Sequence, residues 1–386
     1  MSTARRPFAV YGITRHGIEI AKRIVASLPF ADLFVSEKLA ALAPPEAKLF
    51  PLPMGPLLAE TFGAYDGHIF VISVGAVVRM IAPLLKNKKV DPAVVCVDDA
   101  ARFSICVLSG HVGRGNVFTD RVATILGATS VVTTASDAIG TLTVDILGRD
   151  LGWVIEDVDR NVTRACAAVV NATPVLFVQE TGEPSWWPED RALPEGVRYA
   201  TTLEGVDPKA WEILLVASDR ELVTAHPAHV ENAVVYRPKS LVVGVGCDRG
   251  ATPEMVERGV DTLLETHGLS PKSVKELATI DKKADEVAFV ELAAKRGWTL
   301  RTFTAEELDR TAGIETPSAT VKKFVGTRGV CEPAALRAAG AEKLLVPKQT
   351  YTEEGAGRSM TFAVARIPFS KRKDASASSS TPGVLT

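Results

Sequence analysis

Only five of the 386 residues are cysteine, Cys96, Cys106, Cys166, Cys247 and Cys331, with no CxxC pair and no Cys/His ligand spacing. An odd, scattered set excludes a disulfide framework and gives no reason to expect a protein-held metal; it fits reduced thiols in a cytosol. Aromatic residues are scarce at 6%, so the cores must be built from Val, Ala, Leu and Ile. Neither sign of charge is in excess: 44 Lys and Arg stand against 46 Asp and Glu, which argues against a dedicated nucleic-acid partner. No apolar run approaches the roughly 20 residues of a membrane span. The N-terminus passes directly into a strand pattern without a signal h-region, so a cytoplasmic protein is expected. A Gly-Lys-Ser/Thr phosphate loop and a dinucleotide fingerprint in the first strand–helix turn are both missing, so no nucleotide cofactor is expected. At this length two or three domains are expected.

What is present is an alternation of β-branched runs, glycine turns and amphipathic stretches, the pattern of mostly parallel sheets with helices on both faces. Strand-like runs at 8–13, 68–74, 93–97, 103–108 and 130–134, with helix-like runs to about 28, at 76–85 and at 117–126, assign an N-terminal α/β domain to 1–138. A small central α/β domain over 139–237 carries helices at 141–151 and 160–170. Its strands are expected at 174–178, 212–216 and near 233–236. A third α/β domain, 238–369, restarts with a strand at 241–246. Its first helix opens at Thr252-Pro253-Glu254, a cap followed by proline at the first helical position. Further strands are expected at 274–280, 300–303, 343–346 and 361–365, and helices at 286–296 and 332–339. The Ser-, Lys- and Pro-rich end, 370–386, reads as a disordered tail. The fold class is therefore α/β, three consecutive domains with mostly parallel sheets.

The richest stretch for chemistry is SGHVGRGN, residues 109–116, between an apolar run and a helix-like segment. It sets a histidine, a hydroxyl and flexible backbone at the C-terminal end of a strand, where open α/β sheets bind ligands. His111 can move a proton near neutral pH, and Asp98 and Asp99, at the end of the neighbouring strand, are candidates to orient it. Ser109 is a weak nucleophile candidate, because the turn is not a G-x-S-x-G elbow. Gly113, Gly115 and Asn116 would let the backbone approach a ligand closely. Arg79, Lys86, Lys88, Lys89, Arg114 and Arg121 are either solvated charges or the grip on a polycarboxylate ligand. The run 279–286 either presents Asp281 and Lys282 at a second ligand edge or is a well-capped turn. The glycine loop 325–332 carries the same two readings.

Six stretches in order, LSGHVGRGN (108–116), VTTASD (132–137), VGVGCDRG (243–250), ATIDKKADE (278–286), VGTRGVCEPAALRAAG (325–340) and LLVPK (344–348), resemble the CbiG family, the cobalt-precorrin-5A hydrolases of anaerobic cobalamin synthesis. Two positions depart from the family pattern: Arg114 stands where a glycine is typical, and Lys282 where a leucine is typical. The resemblance implies an anionic cobalt tetrapyrrole as partner, with a δ-lactone joining the ring A acetate to C-20. It implies hydrolytic opening of that lactone and release of acetaldehyde, giving cobalt-precorrin-5B. The cobalt arrives inside the substrate, so no metal ligands and no cofactor are expected from the protein. On this reading His111 activates water or shuttles the proton at C-20, and Asp98 or Asp99 orients it. Backbone N–H groups of Gly113 to Asn116 stabilise the oxyanion, while Arg79, Arg114 and Lys348 hold peripheral carboxylates. Neighbouring corrin methyltransferases are further candidate partners. A tetrapyrrole carrier that performs no chemistry is the competing reading.

Overall fold

The computed structural model describes residues 5–157, 159–247, 250–353 and 359–370; the expected tail lies, but for Ser370, outside the described residues. The chain divides into two compact units, Met1–Ile146 and Leu147–Thr386. The architecture is α/β, with three mostly parallel sheets, one in the first unit and two in the second.

The first unit holds strands β1 (Arg6–Gly12), β2 (Ala31–Ser36), β3 (Lys48–Phe50), β4 (Tyr65–Val71), β5 (Ala93–Val97), β6 (Phe103–Leu108) and β7 (Thr129–Val131). They are ordered β3-β2-β1-β4-β5-β6-β7. β1, β4 and β5 are buried over most of their length because both faces of the sheet are covered. The helix Arg15–Ser27 packs Ile18, Ala21 and Ile24 inward, and its Thr14 cap accepts the Gly17 N–H.

One pairing changes how the site is placed. β5 and β6 are antiparallel, whereas the other neighbours in this sheet are parallel. The turn between them is closed by Asp98, whose Oδ1 accepts the N–H groups of Arg102 and Phe103. β6, the helix Gly115–Leu126 and parallel β7 thus form a βαβ unit running opposite to β1, β4 and β5. The SGHVGRGN loop does follow a strand's C-terminal end. It opens, however, at the sheet edge where β5 begins, not at the edge where β1, β4 and β5 finish.

The second unit holds β8 (Val154–Ile155), β9 (Val175–Gln179), β10 (Val197–Ala200), β11 (Ile213–Ala217) and β12 (Ala233–Arg237), ordered β10-β9-β11-β12-β8. Its other sheet is β15-β14-β13-β17-β16, from β13 (Leu241–Cys247), β14 (Val274–Ile280), β15 (Thr299–Phe303), β16 (Val346–Thr352) and β17 (Ser359–Arg366). In that sheet β13, β14 and β15 are parallel, while β17 is antiparallel to both β13 and β16. The helix expected over 141–151 is instead two short 3-10 turns, Val144–Ile146 and Arg149–Leu151. Gly148, at φ 71°, interrupts it, and Gly140 and Gly152, at 66° and 80°, bound the stretch. Among the described residues no helix is long and apolar enough to cross a membrane.

The two sheets of this unit are tied by buried charge. Asp219, 1% exposed, accepts Arg366 Nε and Nη2 at 2.7 Å each and the Ser240 hydroxyl at 2.8 Å. Gly244 on β13 is required by close packing: a Cβ there would lie 1.8 Å from the Cys331 carbonyl oxygen at the start of the helix Cys331–Ala339.

Candidate active site

β6 and β7 are adjacent parallel strands, so the loops that follow them meet. The first brings His111; the second brings Thr134, Ser136 and Asp137, the last two in the helix Ala135–Ile139. His111 Nε2 lies 2.6 Å from Asp137 Oδ2 and 3.2 Å from the Ser136 hydroxyl. On the other side of the ring, Nδ1 lies 3.2 Å from Oδ1 of Asp145, in the turn Val144–Ile146. That oxygen is buried with no donor aligned on it. Asp137 Oδ2 also accepts Asn116 Nδ2 at 2.8 Å and the Thr134 hydroxyl, and Asn116 Nδ2 reaches Thr134 Oγ1 as well.

The two carboxylates favour the charged form of this nearly covered imidazole. The His111 side chain is 15% exposed. Asp145 and then Asp137 raise its pKa above the ordinary value, against the lowering effect of burial. Burial works to raise the Asp137 pKa, but hydrogen bonds from Thr134 and His111 outweigh it and hold the carboxyl below its ordinary value. The carboxylates thus favour the imidazolium, the form that can donate a proton to a leaving oxygen but cannot take one from water until that proton has gone.

The loop itself is tightly wound. Gly115 and Asn116 N–H groups donate to the Ser109 and Gly110 carbonyls, and the Arg114 N–H to the His111 carbonyl. Three of the four N–H groups read as an oxyanion hole are thus committed within the loop. The glycines are accounted for by packing. A Cβ on Gly113 would meet Ser109 Cβ at 2.5 Å, and one on Gly115 the Leu108 carbonyl oxygen at 2.7 Å. Ser109 and Arg114 both adopt left-handed backbone, with φ of 56° and 64°, a conformation that disfavours residues with a Cβ. Ser109 spends its hydroxyl on the Asp91 carbonyl.

The other expected site residues fall elsewhere. Asp98 and Asp99 do not reach His111, because the six-residue strand β6 separates the turn they occupy from the loop, roughly 20 Å at strand rise. Asp98 closes its own turn, and Asp99 accepts the Thr14 hydroxyl. Arg79, on the helix Val74–Ile81 that follows β4, donates to the Gly75 carbonyl. Asp281, Lys282 and Lys348 belong to the second unit. Asp281 accepts the Lys282 N–H within the turn Asp281–Lys283. Asp137 and Asp145 replace Asp98 and Asp99 as the carboxylates on His111. Asp137 lay in plain view as the last residue of VTTASD. Asp145 had no local signal, because its turn was read as the interior of a helix. Among the described residues no three His, Cys, Asp or Glu side chains converge as they would around a metal ion.

Three family models match in chain order: cobalamin synthesis G N-terminal over 56–137, cobalamin biosynthesis central region over 142–238 and cobalamin synthesis G C-terminus over 241–365. The cobalt-precorrin-5A hydrolase of Priestia megaterium is 40% identical over 370 residues, spanning 95% of this chain and 96% of that protein. The cobalt-precorrin-5A hydrolase of Salmonella typhimurium is 30% identical, spanning 85% of this chain and 90% of its own. A solved cobalamin biosynthesis protein G homolog from Sulfolobus solfataricus is 20% identical over 94% of this chain and 98% of its own, with a TM-score of 0.35.

Proposed function

The chain belongs to the CbiG family of cobalt-precorrin-5A hydrolases, and from that membership we propose how its residues carry out the reaction. The substrate is cobalt-precorrin-5A. Water opens its ring A acetate δ-lactone, leaving a carboxylate and a hydroxyl at C-20, and the two-carbon fragment departs as acetaldehyde to give cobalt-precorrin-5B. His111, held as imidazolium, protonates the C-20 oxygen as the lactone opens. The neutral imidazole then receives the hydroxyl proton as that oxygen becomes the aldehyde carbonyl, and the electron pair of the broken carbon–carbon bond stays on the macrocycle; one residue thus serves as acid first and base second. Asp137 and Asp145, one on each ring nitrogen, hold the imidazole in line. The observation that supports this assignment is the imidazole held 2.6 Å from one carboxylate and 3.2 Å from another. The same reading leaves cobalt as part of the substrate, requires no resident cofactor, makes corrin methyltransferases the neighbouring enzymes and the cytoplasm the compartment.

The test is acetaldehyde release with mass analysis of the corrinoid product. Wild type is expected to liberate acetaldehyde with the matching loss of mass, and His111→Ala to fall by about 10²–10⁴-fold, the usual span of a general acid–base group. Wild-type turnover in His111→Ala would remove His111 from the mechanism. Substrate binding without acetaldehyde in the wild type would return the protein to the carrier reading.

A further inference from the structure

The second unit carries a cleft of about 300 Å3 that the His111 site does not use. It opens at the end of β13, beside Gly246 and Cys247, and against the start of β17. The helix Ala319–Val325 and the first residues of the helix Cys331–Ala339 wall it. β13 is flanked by β14 on one side and by β17 on the other, and ligands of open α/β sheets sit outside strand ends where the chain order diverges in this way. The close seat at Gly244 presses the Cys331–Ala339 helix onto the strand and fixes one wall.

The chemistry of the cleft is that of an anion receptor. Its acid, Glu332, is 2% exposed and saturated. One oxygen accepts the N–H groups of Glu315 and Thr316; the other accepts the Thr316 hydroxyl and the Lys348 N–H. The Lys348 ammonium, by contrast, meets no carboxylate among the described residues, only the Thr316 carbonyl at 3.4 Å. Two further lysines stand at the Ala319–Val325 helix. Lys282 reaches the Val325 carbonyl at 3.3 Å, and Lys323 lies 5.6 Å from the centre of the Phe324 ring. Neither has an acidic partner among the described residues, although their neighbours Lys283 and Lys322 are paired with Glu286 and Asp309. That helix buries none of its residues, and Phe324 is 75% exposed. Lys348 thus lines the cleft, Lys282 reaches the carbonyl of its lining residue Val325, and Phe324 is displayed on the helix that walls it.

We propose that this cleft is a carboxylate-binding site that grips one acid side chain of an anionic tetrapyrrole through Lys348. Phe324 offers its ring to the macrocycle, and Lys282, at the Val325 carbonyl, takes a neighbouring acid group. The proposal rests on the reading that the family's substrate is a large acidic macrocycle. The volume is at the low end of the roughly 300–1,000 Å3 of ligand pockets, so the cleft receives a substituent and the ring stays outside.

The test uses the full chain and uroporphyrin III, a stable tetrapyrrole with carboxylates on every pyrrole ring, followed by porphyrin fluorescence at low salt. Lys348→Gln is expected to weaken binding about tenfold, the loss of one charge-assisted contact. Lys348→Arg should stay within about threefold of wild type, and Phe324→Ala should weaken binding several-fold. Melting curves show whether each variant is folded; Phe324→Ala and Lys282→Gln, both at exposed positions, carry the test if Lys348→Gln is not. Equal affinity of wild type and these variants, whether strong or absent, overturns the proposal. Acetaldehyde release tests the hydrolase separately, so the failure of one reading is not mistaken for the failure of the other.

Discussion

His111 faces two carboxylates across a single ring, and that local balance sets when the site can work. Its raised pKa means the charged form persists above the ordinary value of 6.5. The stabilisation from the ion pairs is complete below that value and is lost as pH rises through the raised one. A general acid in the first step follows the same direction, so kcat/KM should fall as pH rises through that raised value. Asp137→Asn removes one carboxylate and should move that alkaline limb to lower pH, read from the pH–rate profile. An unmoved limb would assign it to another group. Arg114 offers a second residue-scale test. It holds a left-handed φ of 64° at the start of its helix, where the family pattern has glycine. Arg114→Gly should stabilise the protein by roughly 0.5–1 kcal/mol, measured by denaturant unfolding. A loss of stability would mean that the contacts of the Arg114 side chain outweigh the backbone strain.

Between elements, the decisive relation is a strand direction. The turn at Asp98 reverses β6 against β5, carries β7 with it, and so makes a two-strand parallel unit whose loops supply His111 and Asp137. Residues 26 apart in sequence come within hydrogen-bond distance for this reason. The run 103–108 was legible as a strand from its β-branched content. Its direction was not, because parallel and antiparallel neighbours place the same demands on a buried strand's composition. In the second unit the corresponding relation is helix on strand. Gly244→Ala would place a methyl group 1.8 Å from a backbone carbonyl, which cannot rotate away. The Cys331–Ala339 helix must shift, at a cost of about 3 kcal/mol or more, and the cleft walled by that helix should lose its affinity for the porphyrin probe. A melting temperature equal to wild type would show that the contact is softer than the geometry implies.

For the molecule as a whole, the chain divides at Ile146, just after Asp145, so the first unit contains every residue of the His111 site. The second unit depends on charge buried between its sheets. Asp219→Ala should strand Arg366 and the Ser240 hydroxyl. Breaking a fully buried pair costs about 3–5 kcal/mol; because the Arg366 side chain is 37% exposed, about 2 kcal/mol is the better expectation. Calorimetry should show the transition of the second unit moving down while that of the first is unchanged. Movement of both would show that the two units unfold together.

Composition and alternation sufficed for the α/β class, for most strands with buried faces and for the loop that carries His111, because a buried strand or amphipathic helix writes its environment into a short run of residues. Ordered motifs sufficed for the family. Strands β2, β3, β8 and β10 went unread, being short or interrupted by charge, and the 141–151 region looked helical because its glycines reach left-handed φ only in the folded chain. The partners of His111 belonged to the tertiary structure alone. Asp98 and Asp99 are nearer in sequence than Asp137 and Asp145, yet a six-residue strand holds them away, while a βαβ crossover and a 3-10 turn deliver the other two. Sequence separation measures chain length; catalytic distance is set by the direction in which each strand runs.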